Sequence, residues 1–292
     1  GDGGYLICPD CGRMLDPDDP GSHTYPADVP PHWGHQRGPR AGQMCLNRQH
    51  FTNEVILGHS FHSEVILLGI DLPPELDAPI MEPSGRAIWY SFGTLVANAA
   101  SLILQVDTSE IKVGVRPVMR APGRIHGEVY LYDDVPSGAG YARAIGDNLE
   151  QILHKALELA RQCSNPECGG ACYQCMYDYR NQMLHPILDR RLGCALLEFV
   201  LFGQPPTVSV REIDRAAEPL IEYARSQWQI EGGLDVQGVH LPCVLKDRTG
   251  TKIGLWVVHP LRARPTPAEK GVITAQTGVR CAVHTTFDLE RR

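Results

Sequence analysis

Four cysteines, Cys163, Cys168, Cys172 and Cys175, fall within thirteen residues at gaps of four, three and two. Pro166, Gly169 and Gly170 supply turns between them, and the run holds too few apolar side chains to order itself. It needs a centre to fold around. Zinc takes four thiolates in a tetrahedron at about 2.3 Å each, and four protein ligands leave no position for a reacting water. A four-cysteine iron–sulfur cluster uses the same donors, and buried reduced cysteines remain the bland alternative. Of the ten cysteines, six sit in two tight groups, which is the pattern of metal ligands and not of a disulfide framework.

The second group is Cys8-Pro9-Asp10-Cys11-Gly12, a knuckle of the kind that opens zinc ribbons. Cys45 is its natural third ligand and His50 the fourth, with His23, His32 and His35 competing. An irregular loop carrying surface histidines is the other reading.

Lys and Arg number 27 against 34 Asp and Glu, a formal charge of −7, so the chain is not a generic polycation that coats nucleic acid. Any DNA contact must come from a local patch. Twenty uncharged residues lie between Arg86 and Asp107, long enough to cross a bilayer. Yet Ser91, Thr94, Asn98, Ser101 and Gln105 recur at steps of three and four, opposite a stripe of Ile88, Phe92, Leu95, Val96, Ala99, Leu102 and Ile103. That is an amphipathic core helix. No signal peptide follows Gly1, so the expectation is a soluble, cytoplasmic piece of something larger, away from membranes.

Val65–Ile70, Ile111–Val115 and Glu128–Tyr132 read as strands, with helices at about 87–105, from Tyr141 to Cys163 and after Asp189. Gly203-Gln204-Pro205-Pro206 reads as a linker. Beyond it come an amphipathic helix (Val210 to Trp228), a hairpin around Asp247-Arg248-Thr249-Gly250, and a strand at 279–286. The expected class is α+β: a small, mainly antiparallel sheet with packed helices, stapled by zinc. The expected divisions are a ribbon-like element over 1–52, a zinc-binding domain over 53–203 and a small α/β domain over 204–292.

The run Cys163…Cys168…Cys172-Tyr173-Gln174-Cys175, with Tyr179-Arg180-Asn181-Gln182, His185 and Leu188-Asp189-Arg190, resembles the MrfA-associated zinc-binding domain. So does the upstream Leu131-Tyr132-Asp133-Asp134-Val135-Pro136-Ser137-Gly138-Ala139-Gly140-Tyr141, although Ser137 stands where a second glycine is more usual. The resemblance covers about 54–203. It implies that Cys163, Cys168, Cys172 and Cys175 bind zinc. It also implies association with bacterial DEAD/DEAH-type DNA helicases of superfamily 2, in DNA repair or in phage defence of the DISARM and Druantia kinds.

Other features carry less. The Pro136–Gly140 turn opens a helix, so Gly138 and Gly140 are candidate phosphate contacts, or simply a strand-to-helix connection. Lys112, Arg116, Arg120 and Arg124 lie between Ile111 and Gly127 without an acid and form the candidate DNA stripe. Tyr173, Tyr177 and Tyr179 beside Arg180 suit either base stacking or the apolar jacket of a zinc knuckle; the jacket is preferred. His126-Gly127-Glu128 with Cys172 and Cys175 matches parts of the nucleobase-deaminase signature, but Ala171 replaces its proline and Cys163 and Cys168 would be idle. The helix-then-strands order after Pro206 suits a nuclease, yet no E-x-K stands on a strand.

No G-x-x-x-x-G-K-[ST] loop and no DEAD or DEAH box occurs in the sequence. The expected function is therefore a non-catalytic zinc-binding accessory module, with ATP bound only by a helicase motor in cis or in trans. A free-standing zinc-dependent enzyme acting on nucleic acid is the alternative.

Overall fold

The computed structural model describes residues 62–292 except Pro122, Pro136, Arg291 and Arg292, together with the backbone of five short strands within 5–55. Two compact units result, Gly1–Phe61 and His62–Arg292. In the first unit β1 (Tyr5–Ile7) pairs antiparallel with β2 (Met14–Leu15). A separate antiparallel pair joins β3 (His32–Trp33) to β4 (Met44–Cys45), and β5 (Thr52–Val55) returns beside β1. Cys8, Cys11 and His50 lie outside the described residues, and of Cys45 only the strand is described.

The second unit opens with β6 (Val65–Leu68), followed by α1 (Pro83–Leu104), β7 (Ile111–Ala121) and β8 (Arg124–Asp133). The strands form an antiparallel sheet in the order β6-β8-β7, and α1 packs across it. Helices α2 (Tyr141–Asp147), α3 (Leu149–Arg161) and α4 (Arg190–Phe202) complete the layer; α3 and α4 cover the other side of α1. Two glycines allow this closeness. A Cβ on Gly93 would come within 2.7 Å of Val113, and one on Gly193 within 2.6 Å of Leu95. Trp89, Phe92, Leu95, Leu131, Ile152 and Leu196 are wholly buried in the resulting core. Each such side chain contributes about 1.5–3 kcal/mol by leaving water.

The two stripes of α1 are both used. Ser91, Thr94 and Ser101 are buried, whereas Leu102 of the apolar stripe is 55% exposed. The helix is long and apolar enough to span a membrane, but protein packs around it and its polar stripe faces inward. Asp189 caps α4 by accepting from Arg191 N at 2.9 Å, as its type and place imply. Gly203 ends that helix in the left-handed region at φ 66°.

The chain then forms α5 (Val210–Ala224), β9 (Gln229–Glu231), the hairpin β10 (Leu234–Val236) and β11 (Val239–Leu241), β12 (Val244–Lys246), β13 (Lys252–Val258), α6 (Pro267–Thr277), β14 (Arg280–Thr285) and α7 (Thr286–Glu290). Ser209 and Glu212 cap α5 reciprocally. The sheet runs β14-β13-β12-β9, with β14 parallel to β13 and the other pairs antiparallel. Hence the class is α+β. A second apolar cluster, built on Ile213, Ala217, Cys243, Leu255 and Val257, fills this region.

Candidate metal centre

Helix α3 ends at Arg161 and delivers Cys163 into a loop held by its own backbone. Asn165 makes the first turn, accepting from Glu167 N on its side chain at 3.0 Å and from Cys168 N on its carbonyl at 3.1 Å. The Cys172 carbonyl then accepts from the N–H groups of Cys175, Met176 and Tyr177 at 2.9–3.0 Å, which curls the chain into a knuckle. The Cys172 N–H donates to Cys175 Sγ at 3.2 Å. All four sulfurs lie within 4.8 Å of one another, with Cys163–Cys172 at 3.6 Å and Cys175 at 3.8 Å from both Cys168 and Cys172. A tetrahedron with bonds of about 2.3 Å has edges of about 3.8 Å, so the separations suit one tetrahedral ion and exclude disulfides. The four cysteines are the one cluster of metal-ligand side chains among the described residues.

The thiols are unequal. Burial raises the pKa of Cys172, but the Gln174 N–H and the three neighbouring thiols outweigh it and draw it down to about 7. Cys175 is pushed up, chiefly by burial. Cys172 is therefore the first to offer a thiolate, the form that binds metal.

Three elements brace the loop from outside. Asn98, on the polar stripe of α1, donates to the Cys175 carbonyl at 3.4 Å. The Gly170 carbonyl accepts from Arg190 N at 2.8 Å, and a Cβ on Gly170 would lie 2.8 Å from the Asp189 carboxylate. Asp189, 2% exposed, also donates its N–H to Ser91 Oγ at 2.8 Å and receives the Arg191 guanidinium. Beyond Cys175, a 3-10 helix (Tyr179–Leu184) is capped by Asp178 and Asn181. Tyr177 stacks on His185 at 4.0 Å, and Tyr173 meets both rings edge-on. Tyr177 and His185 do form a jacket. Tyr173 and Tyr179 do not, being 69% and 80% exposed.

The candidate DNA residues are placed differently from the sequence expectation. Lys112 falls in an expected strand, but Arg116, Arg120 and Arg124, which lie between the two expected strands, also stand on β7 and β8. Each also faces an acid from elsewhere in the chain. Lys112 pairs with Asp134 at 3.4 Å, Arg116 and Arg120 share Glu128, Arg120 lies 3.6 Å from Asp71, and Arg124 lies 3.3 Å from Asp77. Local sequence cannot reveal such cross-strand and long-range partners. At the Pro136–Gly140 turn the anion is internal. The buried Asp133 carboxylate accepts from the N–H groups of Ala139 at 2.5 Å, Tyr141 at 3.1 Å and Ala142 at 3.0 Å. Gly138 and Gly140 supply the positive φ of 77° and 86° that the turn demands, and the N–H groups of Ala139, Tyr141 and Ala142 are already taken by Asp133 before any phosphate approaches. Ser137 also sits at φ 71°, where glycine is cheaper, in accord with its departure from the expected pattern. His126 is buried and bonded to Asp77, and Glu128 is held by two arginines, so neither joins the four thiols.

Residues 92–176 match the family model of the MrfA Zn-binding domain, MZB. The chain carries an MZB domain. It is also 26% identical over 264 residues to the Druantia protein DruE of Escherichia coli, covering 84% of this chain but 13% of that relative. That share leaves out fewer residues than 204–292 contains, so part of the C-terminal region has a counterpart in DruE as well. A shorter match, 29% identical over 73 residues, links 25% of the chain to 62% of an uncharacterized protein of Methanocaldococcus jannaschii. Crystal structures of the DUF1998 helicase MrfA, bound to DNA and to DNA with AMPPNP, align with TM-scores of 0.39 and 0.34 at 17% and 14% identity. They cover 53% and 52% of this chain and 19% and 17% of those chains. The chain thus spans 13% of the length of DruE and under a fifth of that of the MrfA chains.

Proposed function

We propose that Cys163, Cys168, Cys172 and Cys175 hold one structural Zn²⁺, and that this chain is the zinc-binding accessory part of a superfamily 2 DNA helicase. The observation that carries the reading is the closed tetrahedral spacing of four thiols inside a region that matches a zinc-binding domain. A bound zinc would offset two of the four thiolate charges and tie the end of α3 to the start of α4, which are braced on α1. With four sulfur donors it supplies no open position for water, and this weighs against the free-standing zinc enzyme. The helicase motor, in cis or in trans, would supply ATP chemistry for unwinding or translocation in repair or phage defence. DNA is the partner this association implies, and a second zinc on Cys8, Cys11, Cys45 and His50 remains part of the proposal. Metal analysis of the purified chain, repeated after Cys172→Ser, tests it. One zinc or more per chain, with loss of one on substitution, is the expected result; iron, or a folded metal-free protein, refutes it.

A further inference from the structure

We infer that the β12–β13 hairpin, together with the start of β14, is a docking surface for a DNA backbone. Strand register gathers basic residues there. Lys246 stands directly opposite Lys252, Arg248 lies in the turn between them, and Arg280 opens β14 beside Ile253. Gln229 extends the row on the other side of Lys246. Arg248 and Arg280 are exposed.

Two acids stand among these residues. Glu231 holds Lys252 at 2.7 Å. Asp247 is taken up by the turn itself, accepting from the N–H groups of Thr249 and Thr251 at 2.8 Å and from the Thr249 hydroxyl at 2.7 Å. Lys246, Arg248, Lys252 and Arg280 against Asp247 and Glu231 make four positive charges to two negative, an excess of two. Among the described residues, Lys246, Arg248 and Arg280 have no ion pair. The stripe on β7 and β8 is the reverse case, since each of its cations faces an acid. Like charges directly opposite across two strands are destabilising, so the Lys246–Lys252 pair carries a cost that a phosphate between them would relieve. The turn is also preformed. Asp247 N donates to the Thr251 carbonyl at 3.0 Å, and Gly250 takes the positive φ of 87° at the tip. Arg248 is thus held on a two-stranded ribbon, an element that fits the major groove of a duplex. The chain as a whole carries a charge of −7, which turns a polyanion away from most of its surface and toward such a local excess. DNA is named as that polyanion because of the helicase association proposed above. Residues 204–292 thereby gain a part in binding that is separate from the metal.

The test uses the whole 292-residue chain. Binding of a short duplex and of oligothymidine is read by fluorescence anisotropy from low salt upward. The variants are the pair Arg248→Ala, Arg280→Ala, the pair Arg248→Lys, Arg280→Lys, and a control pair Arg86→Ala, Arg143→Ala, which removes the same charge from exposed positions elsewhere. The first pair should weaken binding roughly tenfold at low salt and flatten the slope of log affinity against log salt, by about 1.8 on duplex or about 1.4 on single strands. The lysine pair should bind like the parent, and so should the control. A loss on either form of DNA supports the surface and names the form. A parent that binds neither probe, an alanine pair that melts and binds like the parent, or a control that loses as much would overturn it. Polyglutamate that binds as tightly as DNA would assign the surface to an acidic protein and overturn it as well. Zinc content, measured on the same samples, tests the accessory reading separately, so failure at the hairpin leaves that reading standing.

Discussion

Replacing Asp133 by Ala should destabilise the second unit severely, although the residue touches neither the cysteines nor any strand of the C-terminal sheet. Its carboxylate is fully buried and takes three backbone N–H groups at the turn that starts α2. Of these donors only Ala142 is itself buried, while Ala139 is exposed and Tyr141 half-buried. Leaving the Ala142 donor unsatisfied costs about 1–3 kcal/mol, and exchanging the other two for water about 1 kcal/mol each. Removing a negative charge from the N-terminus of α2 adds about 0.5 kcal/mol. The expected total is about 4 kcal/mol for alanine. Asparagine, which keeps one accepting oxygen but turns an amide toward the other donors, should lose about half of that. For a unit of this size each kcal/mol corresponds to about 2–4 °C, so Asp133→Ala should melt roughly 10 °C lower. Urea titration followed by circular dichroism reads the effect as a shifted midpoint at unchanged slope. A midpoint within about 1 kcal/mol of the parent, or an alanine variant as stable as asparagine, would refute the reasoning and reopen the turn to an external anion.

The double variant Arg116→Ala, Arg120→Ala strands Glu128, which is 8% exposed, and should cost about 2–3 kcal/mol; adding Glu128→Gln should restore most of it in the same denaturation assay. The same pairing adds a condition to any test of the basic stripe on DNA, since a flatter salt slope counts only where folding is intact. Protons compete with the metal for thiolates, so chelator should strip zinc faster at pH 5.5 than at pH 8; an opposite order would exclude thiolate ligation. His240 donates toward Asp214 at 2.9 Å and Asp235 at 2.7 Å, and these carboxylates raise its pKa. Its stabilising charge is thus fully present below about 6.5 and fades as pH climbs through the raised folded value. His240→Gln should then be less stable than the parent at pH 5.5 but nearly equal at pH 9, and a gap that ignores pH would count against the clamp.

Much of this arrangement was legible in the chain. The spacing of Cys163 to Cys175 is local, so a single sequence shows it, and the capping of α4 by Asp189 follows from a side chain one residue away. The alternation of α1 was equally visible, but its meaning was not. Ser91 and Asn98 face protein because Asp189 and the Cys175 carbonyl, far along the chain, need hydrogen-bond partners there. The partners of the four basic residues were hidden for the same reason: strand register decides which charge stands opposite which. The extent of β7 was also underread, because Pro117 breaks the pattern in sequence although an edge strand tolerates it.

Helix α1 has one further consequence, which is mechanical. Asn98 rests against the cysteine knuckle, and Ser84, fourteen residues earlier, lies beside the C-terminal loop. At about 1.5 Å per residue the two points stand roughly 21 Å apart on a single unbroken rod, clamped along its length by the sheet and by α3 and α4. A rod held this way transmits displacement instead of absorbing it. The close contacts at Gly93 and Gly193 leave little slack in between. The two ends of α1 are joined by one continuous helix.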